Sequence, residues 1–302
     1  MHGPSGDVPD GNFSVHYSGD ASFSSLALST IVPEIDQLKF GSYLMPYADA
    51  VIDGPQSVRI RRLLLDVYRE LRAEAAFVEA GSALGMCYDD AIWRSPALLH
   101  FYQYVPRQLG RETYPVLIFL HGAMGNFKGY TWVFTKLADE HGYAIIAPTY
   151  GGGTWSRDEK LEVLDAVHEH ITREAELDQG AAYLAGLSNG GMGVSRAIAK
   201  RGARYRGFAY LSPVIEPAII MGRAFGSDCK DRPVLIIHGE ADRRIPQEGV
   251  RGAAAILASR GFSVTSRFYK DEDHFLLFSQ RASVVEEMAR WLASCEEGAV
   301  IE

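Results

Sequence analysis

Three residues far apart in the chain, Ser188, Asp242 and His274, have the types and the order of a nucleophile, an orienting acid and a general base. A serine hydroxyl attacks an acyl carbon only when a neighbouring base takes its proton. It must also stand clear of its surroundings where a carbonyl can reach it. Ser188 sits in Gly186-Leu187-Ser188-Asn189-Gly190, between the apolar run AAYLAGL and the helix-forming run MGVSRAIAK. A sharp strand-to-helix turn lifts the hydroxyl out, and such a turn needs small neighbours where side chains would collide. The helix that follows points its N-terminal amides at the place where an oxyanion would form. Alone, Gly-x-Ser-x-Gly is expected about 0.2 times by chance in a chain this long, so the flanking strand and helix carry the assignment. Without them the stretch would be a Gly-rich connection with an incidental serine.

Asp242 follows the apolar run VLIIH in HGEADRRIP, and His274 lies in FYKDEDHFLLF between the last strand and the final helix. Loops at the C-terminal ends of parallel strands gather such sites. Glu240, Asp271 and Asp273 are rival acids in the same loops, and Asp242 itself could be a turn aspartate. Among the other histidines, His121 and His238 each close an apolar run as a His-Gly pair and are expected to support loops. His168 and His170, two apart on a helical stretch, face different directions and do not suggest a metal site. An oxyanion hole is expected from the backbone amides of Asn189, just after the nucleophile, and of Ala123 in VLIFLHGAMGN, with Met124 as reserve.

The elements that must hold these residues are legible after residue 96. LLHFYQYV, VLIFL, YAIIAP, AAYLAGL, FAYLS, VLIIH and VTSRFY read as strands. Helical stretches lie around TWVFTKLADEH, DEKLEVLDAVHEHITREAE, SRAIAKRG, QEGVRGAAAILASRG and QRASVVEEMARWLAS. Continuous apolar runs alternating with helices predict a mostly parallel sheet with helices on both faces. Residues 1–20, rich in Gly, Ser, Pro and Asp, are expected to form a loose tail, and 21–95 a mainly helical extension. Within it Asp53, Pro55 and the positions Leu64, Val67, Tyr68, Leu71, Ala75 and Val78 predict one amphipathic helix ending near Gly81. Arg59, Arg61 and Arg62 read as its solvated face. Only about twenty residues separate Ser212 from Val234, too few for a large lid, so any cap would come from residues 21–95 or a neighbouring subunit.

The 302 residues carry a net charge of −8, which argues against a nucleic-acid partner. Cys87, Cys229 and Cys295 are odd in number and lack a Cys-x-x-Cys pair, so they form no disulfide framework and suggest no zinc, while a single bridge, and with it the redox compartment, is left open. No membrane span and no signal peptide are visible, which fits a cytoplasmic protein or a secreted one with its signal removed. The oligomeric state, including a homo-oligomer, is left open. Phe127, Tyr150, Trp155, Ile245 and Phe275, with Met124, are candidates to line a substrate pocket. The run Gly151-Gly152-Gly153 reads as a loop that moves or lets a ligand approach the backbone, or as a plain turn. It lacks the Lys-Ser or Lys-Thr of a phosphate loop.

With these motifs assembled, the chain from about 97 to 295 resembles the α/β-hydrolase superfamily, which makes 96–302 the expected catalytic domain. FYQYVPRQLGRETYPVLIFLHGAMGN and GLSNGGMG are similar to segments of carboxylesterases of the polyhydroxybutyrate depolymerase and feruloyl esterase group. HGEADRRIP and DEDHFLLF resemble the acid and histidine segments shared with prolyl-oligopeptidase-like and dienelactone-hydrolase-like proteins. Dienelactone hydrolases use cysteine where Ser188 stands, which disfavours that branch. The resemblance implies a cofactor-independent serine hydrolase acting on small carboxylic esters. A serine peptidase of the prolyl-oligopeptidase type is the alternative enzyme, and a non-catalytic binding protein on the same fold is the third reading.

Overall fold

A computed structural model describes residues 11–17, 32–84, 87, 100–107, 111–123, 125–151 and 155–299. Eight strands form one sheet in the order β1-β2-β4-β3-β5-β6-β7-β8. They are β1 (Asn12–Tyr17), β2 (His100–Val105), β3 (Tyr114–Leu120), β4 (Ala144–Pro148), β5 (Leu177–Leu187), β6 (Gly207–Leu211), β7 (Pro233–Gly239) and β8 (Ser263–Tyr269). From β4 to β8 all neighbours are parallel, while β2 runs antiparallel to both β1 and β4. Residues 12–17, expected in a loose tail, are therefore an edge strand: the alternation of Phe13 and Val15 with polar neighbours suits pairing on β2.

The central strands are buried on both faces, as their unbroken apolar runs require. Alternate residues feed two cores. Leu117, Phe119, Tyr183, Leu187 and Ile237 point to one, and Val116, Ile118, Leu184, Phe208 and Ile236 to the other. The first core is covered by α1 (Glu34–Ala48), α2 (Gly54–Leu71), α3 (Ala75–Glu79), α4 (Lys128–Val133), α5 (Thr135–His141), α10 (Leu276–Ser279) and α11 (Arg281–Ala299). Against the second pack α6 (Glu162–Arg173), α7 (Gly190–Arg201), α8 (Pro217–Ile220) and α9 (Gln247–Ser259).

The helix predicted to run to Gly81 is two. Asp53 caps α2, its carboxylate accepting the Gln56 N–H at 2.8 Å, and Ile60, Leu64, Val67, Tyr68 and Leu71 form the buried stripe. The helix stops at Leu71. In α3 the buried residue is Phe77, and Ala75 and Val78 are exposed, so the apolar period changes phase across residues 72–74. Glu34, buried at the start of α1, joins this extension to the sheet domain. It accepts from Tyr68, Ser82 and Tyr102 hydroxyls and from the Lys128 N–H at 2.8 Å.

Glu74, at the turn between α2 and α3, is buried against Trp132, whose indole N–H it accepts. Burial, opposed by that bond and reinforced by the charges of Asp139 and Glu70, pushes its carboxyl up to about 7. The folded state thus binds this proton more tightly than the unfolded chain. The resulting stabilisation is present below the ordinary carboxyl value of 4.5 and is lost as pH rises through about 7. Glu74→Gln keeps an acceptor for Trp132 and removes the ionisation. It is expected to match the parent's melting temperature at pH 4.5 and exceed it by a few degrees at pH 8, measured by thermal circular dichroism.

Candidate active site

Parallel pairing puts Leu187, Leu211, Ile237 and Arg267 in one row across β5 to β8. Ser188 is one residue past that row, and Asp242 and His274 lie in the loops beyond β7 and β8, so all three gather at the same edge of the sheet. Ser188 takes a left-handed backbone conformation, φ 52°, at the turn between β5 and α7. The main chain fixes it there: its N–H donates to Leu211 O at 2.9 Å, and its carbonyl accepts from Gly191 and Val214, each at 2.9 Å. The flanking glycines are forced by close approach. A Cβ on Gly190 would lie 2.2 Å from Leu120 O, and one on Gly186 would lie 2.4 Å from the carbonyl of Gly190.

His274 Nε2 is 3.0 Å from Ser188 Oγ, and its Nδ1 is 2.8 Å from Asp242 Oδ2. Asp242 is buried, and its other oxygen accepts the Arg244 and Ile245 N–H groups at 2.9 Å each. Burial alone would push this carboxyl up. The hydrogen bond and charge of His274, with the Ile245 N–H, instead hold it below the usual carboxylate value. An ionised Asp242 favours the tautomer with hydrogen on Nδ1, leaving Nε2 as the acceptor facing the serine hydroxyl. Two of the rival acids are engaged elsewhere: Glu240 pairs with Arg251, and Asp273 with Arg59.

A cavity of about 290 Å³ opens on this group. Gly122, Ala123, Ser188 and His274 lie at its reactive end, and its walls include Phe127 and Phe275, as expected. Asn189, adjacent to Ser188, is the cap residue of α7, so the N-terminus of that helix faces the same region. Met124 and Gly152-Gly153 lie outside the described residues.

Tyr150, Trp155 and Ile245, expected as pocket residues, do not line this cavity; each packs toward the second core. Their contacts explain why. Trp155 is fully buried, and its indole N–H donates to His121 O at 2.9 Å. The Tyr150 N–H donates to His121 Nε2 at 3.0 Å. That second bond fixes hydrogen on Nδ1 of His121, which donates to Gly122 O at 2.9 Å. Burial, partly opposed by this last bond, lowers the imidazole to about 4, so His121 stays a neutral brace for the 121–123 loop. Ile245 acts through its main chain, its N–H on Asp242 and its carbonyl 3.0 Å from His238 Nε2.

Sequence reasoning missed the other walls. Leu38, Met45 and Ile52 reach the cavity from α1 and the turn after it, Leu64 from α2, and Leu277 and Phe278 from the segment after His274. The apolar run FLLF directly behind the histidine carried a signal for the last two. Residues 21–95 are an expected source of any cap, but nothing marks which of them face the cavity, because a helix side chain facing a cavity and one facing a core share the same apolar period.

The parallel sheet, the turn holding Ser188 and the helices on both faces define the α/β-hydrolase fold. No family model matches the chain. A bifunctional acetylxylan esterase/xylanase of Neocallimastix patriciarum is 27% identical over 157 residues, 49% of this chain and 22% of that protein, so the chain matches about a fifth of it. The esterase of Pyrobaculum calidifontis superposes with a TM-score of 0.53 at 17% identity, covering 66% of this chain and 82% of that one. Est1E of Butyrivibrio proteoclasticus gives 0.50 at 19%, over 65% and 95%. Acylaminoacyl peptidase of Pyrococcus horikoshii gives 0.52 at 15%, over 65% of this chain and 39% of that one.

Proposed function

We propose that this protein is a serine hydrolase that cleaves carboxylic esters through an acyl-enzyme. The observation that carries the reading is the continuous hydrogen-bonded run from Ser188 through His274 to a buried Asp242, at the end of a largely apolar cavity. Ser188 Oγ attacks the ester carbonyl as His274 Nε2 takes its proton. Asp242 holds the imidazole's tautomer and stabilises its charged form. The N–H groups of Asn189 and Ala123 receive the oxyanion. The imidazolium then gives its proton to the departing alkoxide, and a water molecule, deprotonated by the same nitrogen, releases the acid and regenerates Ser188.

The cavity favours esters over peptides. An aminopeptidase-like site needs acid groups for the substrate's ammonium, and the carboxylate among the cavity walls, Asp49, is already paired with Arg244. Leu38, Met45, Ile52, Phe127 and Phe278 instead offer hydrocarbon to an acyl or aryl group. The volume lies at the small end of ligand sites, which suits a compact ester.

A panel of p-nitrophenyl acetate, butyrate and octanoate beside an aminoacyl p-nitroanilide tests this. Turnover of the short and medium esters well above the anilide is expected. Turnover of the anilide alone would reverse the assignment.

A further inference from the structure

The helical extension touches both loops that carry His274 and Asp242. Arg59, on α2, pairs with Asp273, the residue before His274, and its second nitrogen lies 3.3 Å from Glu272. Asp273 also accepts the Phe275 N–H at 2.9 Å through its other oxygen, so one carboxylate joins Arg59 to the backbone on both sides of the histidine. Glu272 is held in turn by Ser279 and Gln280 at 2.6 Å each, and its carbonyl accepts the Ala241 N–H at 2.9 Å. On the acid side, Asp49 at the end of α1 pairs with Arg244, whose own N–H bonds Asp242.

We infer that Arg59 is a positioning residue: through Asp273 it fixes the loop that aims His274 at Ser188, so the extension sets the geometry of the reaction as well as walling its cavity. This rests on the ester-hydrolase reading. The loop needs such a hold. Asp271 takes a left-handed conformation, φ 62°, and His274 is five residues past Tyr269, the last β8 residue paired in the sheet. A loop released on one side lets the imidazole wander, and a displacement near 1 Å from the reacting geometry costs about a hundredfold in rate. The pair is partly exposed, so its effect on stability is small while its effect on aim is large.

The test compares kcat and KM for p-nitrophenyl butyrate, per fluorophosphonate-titrated site, in the wild type, Arg59→Ala, Arg59→Lys, Asp273→Asn and the Arg59→Ala/Asp273→Asn double variant. Arg69→Ala, which breaks an exposed pair with Asp66 on the same helix, is the control. Arg59→Ala is expected to lower kcat about 10- to 100-fold with KM within about twofold. Arg59→Lys should recover much of the loss, and the double variant should be no slower than Arg59→Ala, since Asp273→Asn then acts on a contact that Arg59→Ala has already removed. If Arg59→Ala fails to fold, Asp273→Asn decides, because its amide oxygen still accepts from Phe275. Arg59→Ala and Asp273→Asn both within twofold of wild-type kcat, or losses that add in the double variant, would overturn the assignment while leaving Ser188 chemistry intact. A folded wild type whose Ser188 takes no probe would remove the underlying reading and this inference with it.

Discussion

Ser188→Ala is expected to lower kcat for p-nitrophenyl butyrate by a factor of about 10⁴ to 10⁶. The substitution removes one oxygen and, with it, the bond to His274. It leaves the main-chain bonds of residue 188 to Leu211, Gly191 and Val214, which hold the turn, and alanine meets the left-handed backbone at a cost close to that of serine. The melting temperature should therefore stay within a few degrees of the parent while turnover collapses. A small residual rate is the expected outcome if the proposed oxyanion amides still act on a water attack. Steady-state kinetics corrected for folded protein, with circular dichroism on the same sample, separate the two quantities. A variant keeping a tenth of parental activity would take Ser188 out of the reaction.

Asp242→Asn should cost about 10⁴ in kcat, by a different route. Oδ1 of Asp242 accepts two N–H groups, from Arg244 and Ile245, so an asparagine must keep its carbonyl oxygen there. Its NH₂ is then forced to face His274 Nδ1 at the place where Oδ2 now accepts. Facing a donor, Nδ1 must give up its hydrogen, which moves to Nε2. The nitrogen next to Ser188 then carries a proton and cannot take another. The side chains keep their positions, and the reaction fails on tautomer alone. A crystal structure of the variant with unchanged atoms, together with the lost rate, would show this. Near-parental activity in Asp242→Asn would mean that His274 needs no charged partner.

The sheet was legible because its chemistry is local. Runs such as VLIFL and VLIIH have no polar face to offer solvent, and glycines at 186 and 190 sit where the chain passes within van der Waals contact of itself. The same logic placed Ser188, Asp242 and His274, since each follows a strand whose end is readable. Other parts depend on distant partners. Residues 12–17 become a strand because β2 offers an edge, and a six-residue segment of mixed polarity does not announce that alone. Trp155 and Tyr150 are expected as pocket aromatics because they lie in a loop at the active edge, yet a buried indole N–H needs an acceptor, and the one it finds is His121 O. Arg59 read as one of three solvated arginines on a helix. Its role emerges only when α2 lies beside the His274 loop, 214 residues away in sequence.

The most direct test is to stop the reaction midway. Mixing the protein with excess p-nitrophenyl butyrate, quenching in acid within milliseconds and mapping peptides by mass spectrometry should find one butyryl group on Ser188, absent from Ser188→Ala. Steady turnover of the ester with no acyl group on Ser188, or with the acyl group on another residue, would contradict the account.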